Sequence, residues 1–256
     1  MKDQNGYNVR AVERALQILS CFDDEHPEKG VSEIALAVGL HKATTHRIVT
    51  TLLNYGYLER TADGQKYRLG LHVVELGYKV IRRLDLRREA LPYMTQLAQR
   101  FDETCDLGVF DQGAVFYVEV VRGHHALTIA AAVGQRSPAH CTASGKIMLA
   151  FLPPEQREAS LSQPLVSFTE RTITSRSELE RQLEGFRQQG YGFDDEEYEA
   201  GIRAVAAPIL NRDGRVLAAI GMPGPTERMT LERVAEIAGA LKEVANEISR
   251  RMGWAM

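Results

Sequence analysis

Apolar residues recur through the first seventy positions at the spacing of short helices. Over 11–22, Val12, Ala15, Leu16, Leu19 and Phe22 fall on one helical face. His26-Pro27-Glu28-Lys29-Gly30 breaks that pattern. A second short helix comes next, with Ser32 as its predicted N-cap and Ile34, Ala35 and Val38 turned inward. Gly39 ends it as a residue free to take positive φ in a tight turn. The third helix spans about 41–54. Successive 100° steps put Thr45, Ile48, Val49, Leu52 and Leu53 on one arc. Ala43, Thr44, Arg47, Thr50 and Thr51 take the other arc, with His46 at its border.

Ala35, Gly39 and Ile48 have the spacing of a helix-turn-helix: a small residue at the crossing, a turn residue, then a core residue. Thr45 stands where Val or Ile is common. An outer arc of hydroxyls around one arginine suits the major groove, where Arg pairs with guanine and Thr meets a thymine methyl. Lys42 and the first-turn amides would face phosphate. The plainer alternative is a three-helix packing unit with a solvated outer face. The adjoining segment favours DNA. Tyr57-Leu58-Glu59-Arg60, an Asp63-Gly64 turn and Gln65-Lys66-Tyr67-Arg68-Leu69 read as a hairpin, a wing presenting Lys66 and Arg68.

Beyond Gly70 a helix opens with apolar residues on more than one side, read as a linker that packs against a second copy of the chain. Another covers 86–101, with Pro92 bending it or marking its start. The period then changes to strands at 105–110, 115–121 and 127–132. Helices are predicted at 142–152, 154–161 and 177–189, the last with Ser177 and Glu180 as a capping box. Strands at 205–210 and 216–221 and a helix at 230–252 close the chain. Strands in a meander with helices before and after indicate an α+β fold with an antiparallel sheet. The expected domains are 1–70, a winged helix-turn-helix; 71–90, a linker and dimerisation helix; and 91–256, a sensing domain.

Charge sharpens the picture. The formal net charge is −3, which alone disfavours nucleic acid. Yet 42–70 holds five Lys/Arg against two Asp/Glu, while 1–41 holds four against seven. The basic excess coincides with the third helix and the wing. No apolar run reaches the roughly 18 residues of a membrane span, and the first residues lack a secretion signal. Cys21, Cys105 and Cys141 match neither a disulfide framework nor a zinc motif, so the expected location is cytoplasmic.

Two polar stretches carry candidate chemistry. Gly134 to Lys146 places small residues at a loop-to-helix junction, which either offers free amides to an anion or is a tight cap needed for packing. Asp194-Asp195-Glu196-Glu197 is either an exposed acidic loop or brings one carboxylate over a pocket. An enzyme built on His140, Cys141 and Asp194 is the alternative, but chain neighbours rarely point at each other and nothing marks the thiol as activated. A metal held by the same groups lacks ligand spacing. No cofactor, metal or catalysis is expected.

Several motifs together resemble the IclR-type transcriptional regulators over nearly the whole length. They are Ala11-Val12-Glu13-Arg14-Ala15-Leu16, Lys42-Ala43-Thr44-Thr45-His46-Arg47, Tyr67-Arg68-Leu69-Gly70, Ala143-Ser144-Gly145-Lys146, Gly190-Tyr191, Gly201, Ala206-Ala207-Pro208 and Ile248-Ser249-Arg250-Arg251-Met252-Gly253. The resemblance implies a GAF-like effector domain for small organic acids. It also implies homodimers or homotetramers on palindromic double-stranded operators, repressors more often than activators. The DNA contacts expected are Lys42, Ala43, Thr44, His46, Arg47, Thr50, Lys66 and Arg68. Carried over by position, the effector contacts are Ala143, Ser144, Asp194, Ala204, Gly221 and Pro223, with Ile129 and Ile202 as apolar walls. Ala43 stands where serine is usual and Ala139 where leucine is usual. Ala204, Gly221 and Pro223 replace a thiol and two hydroxyls of members that bind small keto acids, which implies a less polar or bulkier acid.

Overall fold

The computed structural model describes residues 9–23, 25–83, 85–124 and 132–254. It divides into two compact units, Met1–Arg83 and Leu84–Met256.

In the first unit, helices α1 (Arg10–Ser20), α2 (Val31–Ala37) and α3 (Lys42–Asn54) precede a hairpin of β1 (Leu58–Arg60) and β2 (Tyr67–Leu69), then α4 (Leu71–Arg83). The core is Ile18, Ile34, Val49, Leu52, Leu58 and Tyr67. Burial selects a narrower arc of α1 than the apolar pattern does. Ile18 is buried and Ala15, Leu19 and Phe22 are half-buried, while Val12 and Leu16 are exposed. Ser32 is not the cap of α2. The helix begins at Val31 after Gly30, whose N–H donates to Glu33 Oε2 at 2.6 Å, so the glutamate side chain does the capping from inside the first turn. Gly39 turns the chain at φ 63°, and Leu40 N–H donates back to the Ala35 carbonyl at 2.9 Å. Lys29 exchanges two backbone hydrogen bonds with Tyr67, adding a third edge to the hairpin that the polar run 26–30 does not advertise.

The second unit opens with α5 (Asp85–Phe101), which contains Pro92. A six-stranded antiparallel sheet comes after it, built from β3 (Cys105–Asp111), β4 (Ala114–Val121), β5 (Arg136–Pro138), β6 (Gly192–Asp195), β7 (Ile202–Leu210) and β8 (Val216–Pro225) in the order β5-β4-β3-β8-β7-β6. Between β5 and β6 come α6 (Ala143–Phe151), α7 (Pro154–Leu161) and α8 (Arg176–Gln189); α9 (Leu231–Arg251) ends the unit. The strand expected over 127–132 falls mainly outside the described residues, and Ala132 is not in a strand. β5 and β6 are too short and polar to show an apolar alternation.

Strand alternation gives the sheet two cores. On one face Cys105, Leu107, Val205, Ala207, Ile220 and Met222 meet α5 and α9. On the other, Val115, Tyr117, Ala206 and Ala219 meet α6, which α8 covers from behind through Leu179, Leu183 and Phe186. All of 143–150 is therefore buried, as befits a helix enclosed on all sides. The capping box expected for α8 is absent. The helix starts at Arg176 after Ser175, Ser177 Oγ lies against Ser175 Oγ, and Glu180 pairs with Arg176.

Candidate functional site

The outer face of α3 is open. Lys42, Ala43, His46, Arg47 and Thr50 are exposed and Thr44 is half-buried. Thr45 is fully buried on the opposite side, its hydroxyl donating to the His41 carbonyl at 3.3 Å, which explains how a polar residue holds a core position. His41 caps the helix by accepting the Ala43 N–H on Nδ1 at 3.3 Å. Thr50 and Thr51 donate to the carbonyls of His46 and Arg47, at 2.8 and 3.0 Å, so both hydroxyls are engaged within the helix. Among the described residues neither Lys42 nor Arg47 makes an ion pair, so both cations are available to an outside partner.

The hairpin tip is a built turn. Thr61 Oγ1 and Gln65 N–H both donate to Asp63, and the hydroxyl bond holds the Asp63 carboxyl below its ordinary range. Gly64 takes φ 71° there, and Arg60 donates to its carbonyl at 3.0 Å. Lys66 makes no ion pair among the described residues. Arg68 is exposed and engaged with neighbouring carboxylates. Its Nε donates to Glu59 at 2.6 Å and its guanidinium lies 3.8 Å from Glu28, pairs that a phosphate would have to compete with.

In the second unit the start of α6 and residues from all six strands surround a cavity of about 130 Å³. Seven of the eight residues expected at an effector site line it: Ala143, Ser144, Asp194, Ile202, Ala204, Gly221 and Pro223. Ile129 lies outside the described residues. An apolar cavity of roughly 150 Å³ accommodates one benzene molecule, which sets the scale of a ligand here.

The acidic run is no exposed loop. Asp194 sits on β6, buried, and accepts the Glu197 N–H at 2.8 Å across a turn in which Glu196 takes φ 63°. Asp195 pairs with Arg203 and Arg171 at 2.6 and 2.7 Å. Glu197 is buried against the fully buried Lys146, whose Nζ also donates to Gln182 at 3.0 Å. Thr142 Oγ1 caps α6 through the Gly145 N–H at 3.3 Å, leaving the first two amides, Ala143 and Ser144, without an acceptor among the described residues.

Sequence reasoning missed Asp106, Tyr117, Ser137, Tyr198 and Glu199, which also line the cavity. Tyr117, Ser137 and Tyr198 bring hydroxyls to a wall that lacks the thiol and two hydroxyls at 204, 221 and 223, and Asp106 and Glu199 add carboxyls. One signal existed: Asp106 is a charge within an otherwise buried strand. Burial pushes its carboxyl up to about 7, offset in part by the Ser144 hydroxyl. Burial likewise pushes Asp194 up to about 7, against the pull of Lys146 and the Glu197 N–H. Both bind protons more tightly folded than unfolded, so the stability they contribute is full below about pH 4 and is lost as pH rises through 7.

The catalytic alternative fails on geometry. His140 Nε2 is engaged with the Val166 carbonyl at 2.9 Å. Cys141 is buried, and desolvation lifts its thiol to about 12, away from a reactive thiolate. Among the described residues no cluster of three metal-ligating side chains occurs, and no helix is long and apolar enough to cross a membrane.

A winged helix with an unpaired basic face, carried in one chain with an α+β unit enclosing a one-ring cavity, defines a ligand-sensing transcriptional regulator. Residues 11–62 match the IclR helix-turn-helix domain and residues 78–250 the bacterial transcriptional regulator IclR C-terminal family. The chain is 35% identical over 247 residues to the HTH-type transcriptional regulator XynR of Escherichia coli, covering 96% of this chain and 98% of that one. It is 29% identical over 248 residues to the transcriptional repressor IclR of the same organism, covering 96% and 90%. Among solved structures, an IclR homologue from Microbacterium hydrocarbonoxydans complexed with 4-hydroxybenzoate superposes with a TM-score of 0.85 at 31% identity, over 95% of this chain and 99% of that one. The Thermotoga maritima IclR gives 0.78 at 31% identity, over 96% and 100%. The chain belongs to the IclR family of transcriptional regulators, whose members are not enzymes.

Proposed function

We propose that this regulator binds a palindromic operator as a homodimer or a pair of dimers, more as a repressor than an activator. A small organic acid held in the α6 cavity changes its affinity for DNA. The observation that carries the DNA reading is the exposed Lys42–Arg47 face of α3, flanked by a wing whose Lys66 has no ion-pair partner among the described residues. Val12 and Leu16 on α1 and Leu71 and Val74 on α4, all exposed, support a second copy of the chain as a partner. The arrangement of 71–90 as a linker belongs to the same reading. Linkage supplies the mechanism: a ligand that prefers one of two states of the protein shifts DNA affinity by the ratio of its affinities for those states.

Arg47→Ala is expected to cost roughly 1–3 kcal/mol on the operator and to relax sequence preference, because Arg reads a base edge. Lys66→Ala should weaken operator and random DNA alike and reduce the salt slope by about one. Fluorescence anisotropy on the promoter next to the protein's own gene and on random duplex separates the two. Equal losses on both duplexes for Arg47→Ala would remove its base-reading role.

The cavity's size and the paired free amides of α6 support an acid of one ring or a short chain. The neighbour bound to 4-hydroxybenzoate supports the same class. Benzoate, 4-hydroxybenzoate, phenylacetate and hexanoate are expected to raise the melting temperature and shift operator affinity. A response confined to glyoxylate and pyruvate would refute the larger-acid reading.

A further inference from the structure

Among the described residues three carboxyl groups line the cavity, Asp106, Asp194 and Glu199, and no lysine, arginine or histidine does. An entering acid therefore meets no cation there, and the start of α6 offers its carboxylate the free Ala143 and Ser144 amides. Asp106 stands beside that same point. Its Oδ1 accepts the Ser144 hydroxyl at 3.3 Å, and its cross-strand partner on β8 is Gly221. A Cβ at 221 would lie 2.6 Å from Ser144 Oγ and 2.8 Å from Asp106 Oδ1. The glycine is what leaves room for the Asp106–Ser144 pair. A ligand carboxylate on the two amides would then sit a few ångströms from a buried carboxyl that has no cation beside it among the described residues. Two carboxyls so placed cannot both stay ionised.

We infer that Asp106 is a ligand-binding residue that takes up one proton when an acid occupies the cavity and donates it, as a hydrogen bond, to the acid's carboxylate at the start of α6. This rests on the proposed reading that the ligand is an acid. The proton comes from solvent, so the acid anion and about one H⁺ enter together. The titratable groups facing Asp106 are Tyr117 on β4, Asp194 on β6 and Tyr198 and Glu199 in the turn after it; Lys146 on α6 is turned to Glu197 and Gln182. None of the first four is a cation, so none relieves the clash of charges. Asp194 is the weaker candidate for the proton, since it accepts the Glu197 N–H and feels the Lys146 ammonium. Asp106 accepts one neutral hydroxyl, and burial already lifts it to about 7.

The test is titration calorimetry of the full chain with benzoate, 4-hydroxybenzoate, phenylacetate and hexanoate. Running it in phosphate and in Tris near pH 8, and in MES and in piperazine near pH 5.5, pairs whose ionisation heats differ, counts the protons taken up. Near pH 8 the expected uptake is about one per ligand, falling towards zero near pH 5.5, with affinity dropping about tenfold per pH unit above 7. Asp106→Asn offers an N–H donor that needs no proton, so it should bind the same acid at pH 8 at least as tightly, with uptake near zero. Asp106→Ser carries the same expectation for uptake should asparagine perturb the fold. Binding without proton uptake in the unaltered chain, or uptake undiminished in both variants, overturns the assignment of Asp106. Failure of all four acids to bind the unaltered chain overturns the acid reading itself, and this inference with it.

Discussion

Glu197→Ala is expected to destabilise the Leu84–Met256 unit by about 3–5 kcal/mol, lowering its melting temperature by roughly 6–20 °C. The reason is the company Glu197 keeps. Lys146 has no exposed side-chain surface, and Glu197 is its one carboxylate partner among the described residues; Gln182 and the Phe186 ring, 5.3 Å away, offer only dipoles and a π face. Removing the carboxylate strands a buried charge. The backbone at 197 should survive the change, because the Thr172 hydroxyl, which donates to the Glu197 carbonyl at 2.6 Å, is untouched. The double change Lys146→Met with Glu197→Leu should recover most of the loss, since a buried pair replaced by packed apolar groups is often neutral. Thermal unfolding of the single and double variants measures both. A single variant that melts with the unaltered protein would show that the pair is open to water.

Gly145→Ala should cost about 3 kcal/mol, at the upper end for overpacking, or roughly 6–12 °C. Its Cβ would lie 2.3 Å from both the Cα and the carbonyl oxygen of Ala139, and backbone atoms cannot swing aside. The start of α6 would have to lift away from the turn before it, carrying the Ala143 and Ser144 amides with it. Acid binding should therefore fall together with stability. Gly185 in α8 is the control. Nothing lies within 4 Å of its missing Cβ, so Gly185→Ala should be neutral or gain up to about 1 kcal/mol from helix propensity. Equal behaviour of the two variants would refute the packing argument.

How far the fold was legible in the residues depends on which forces act locally. The α3 arcs could be read because one face of a thirteen-residue helix is buried and the other is not. The hairpin was visible through its Asp63-Gly64 turn. β6 was not, because Gly192-Phe193-Asp194-Asp195 owes its strand to pairing with β7, and its glycine to the Ala143 carbonyl, 2.7 Å from where a Cβ would be. The caps of α2 and α8 were misplaced because Ser32 and Ser177 satisfy the usual pattern one or two residues inside the true ends. At the site, residues matched by position found seven of the fifteen that line the cavity. Asp106 and Tyr117 escaped because their approach to α6 depends on how β3 pairs with β8 and β4 with β3. The Lys146–Glu197 pair, fifty-one positions apart, belongs to tertiary structure alone.

The two-faced sheet has a mechanical corollary. Along β8, Gly221 borders the cavity while Ile220, beside it, is embedded under α9. Along β7, Ala204 and Val205 divide the same way. A guest molecule pressing on these strands thus pushes on the floor beneath a twenty-one-residue rod, with only the thickness of a single backbone between stimulus and lever.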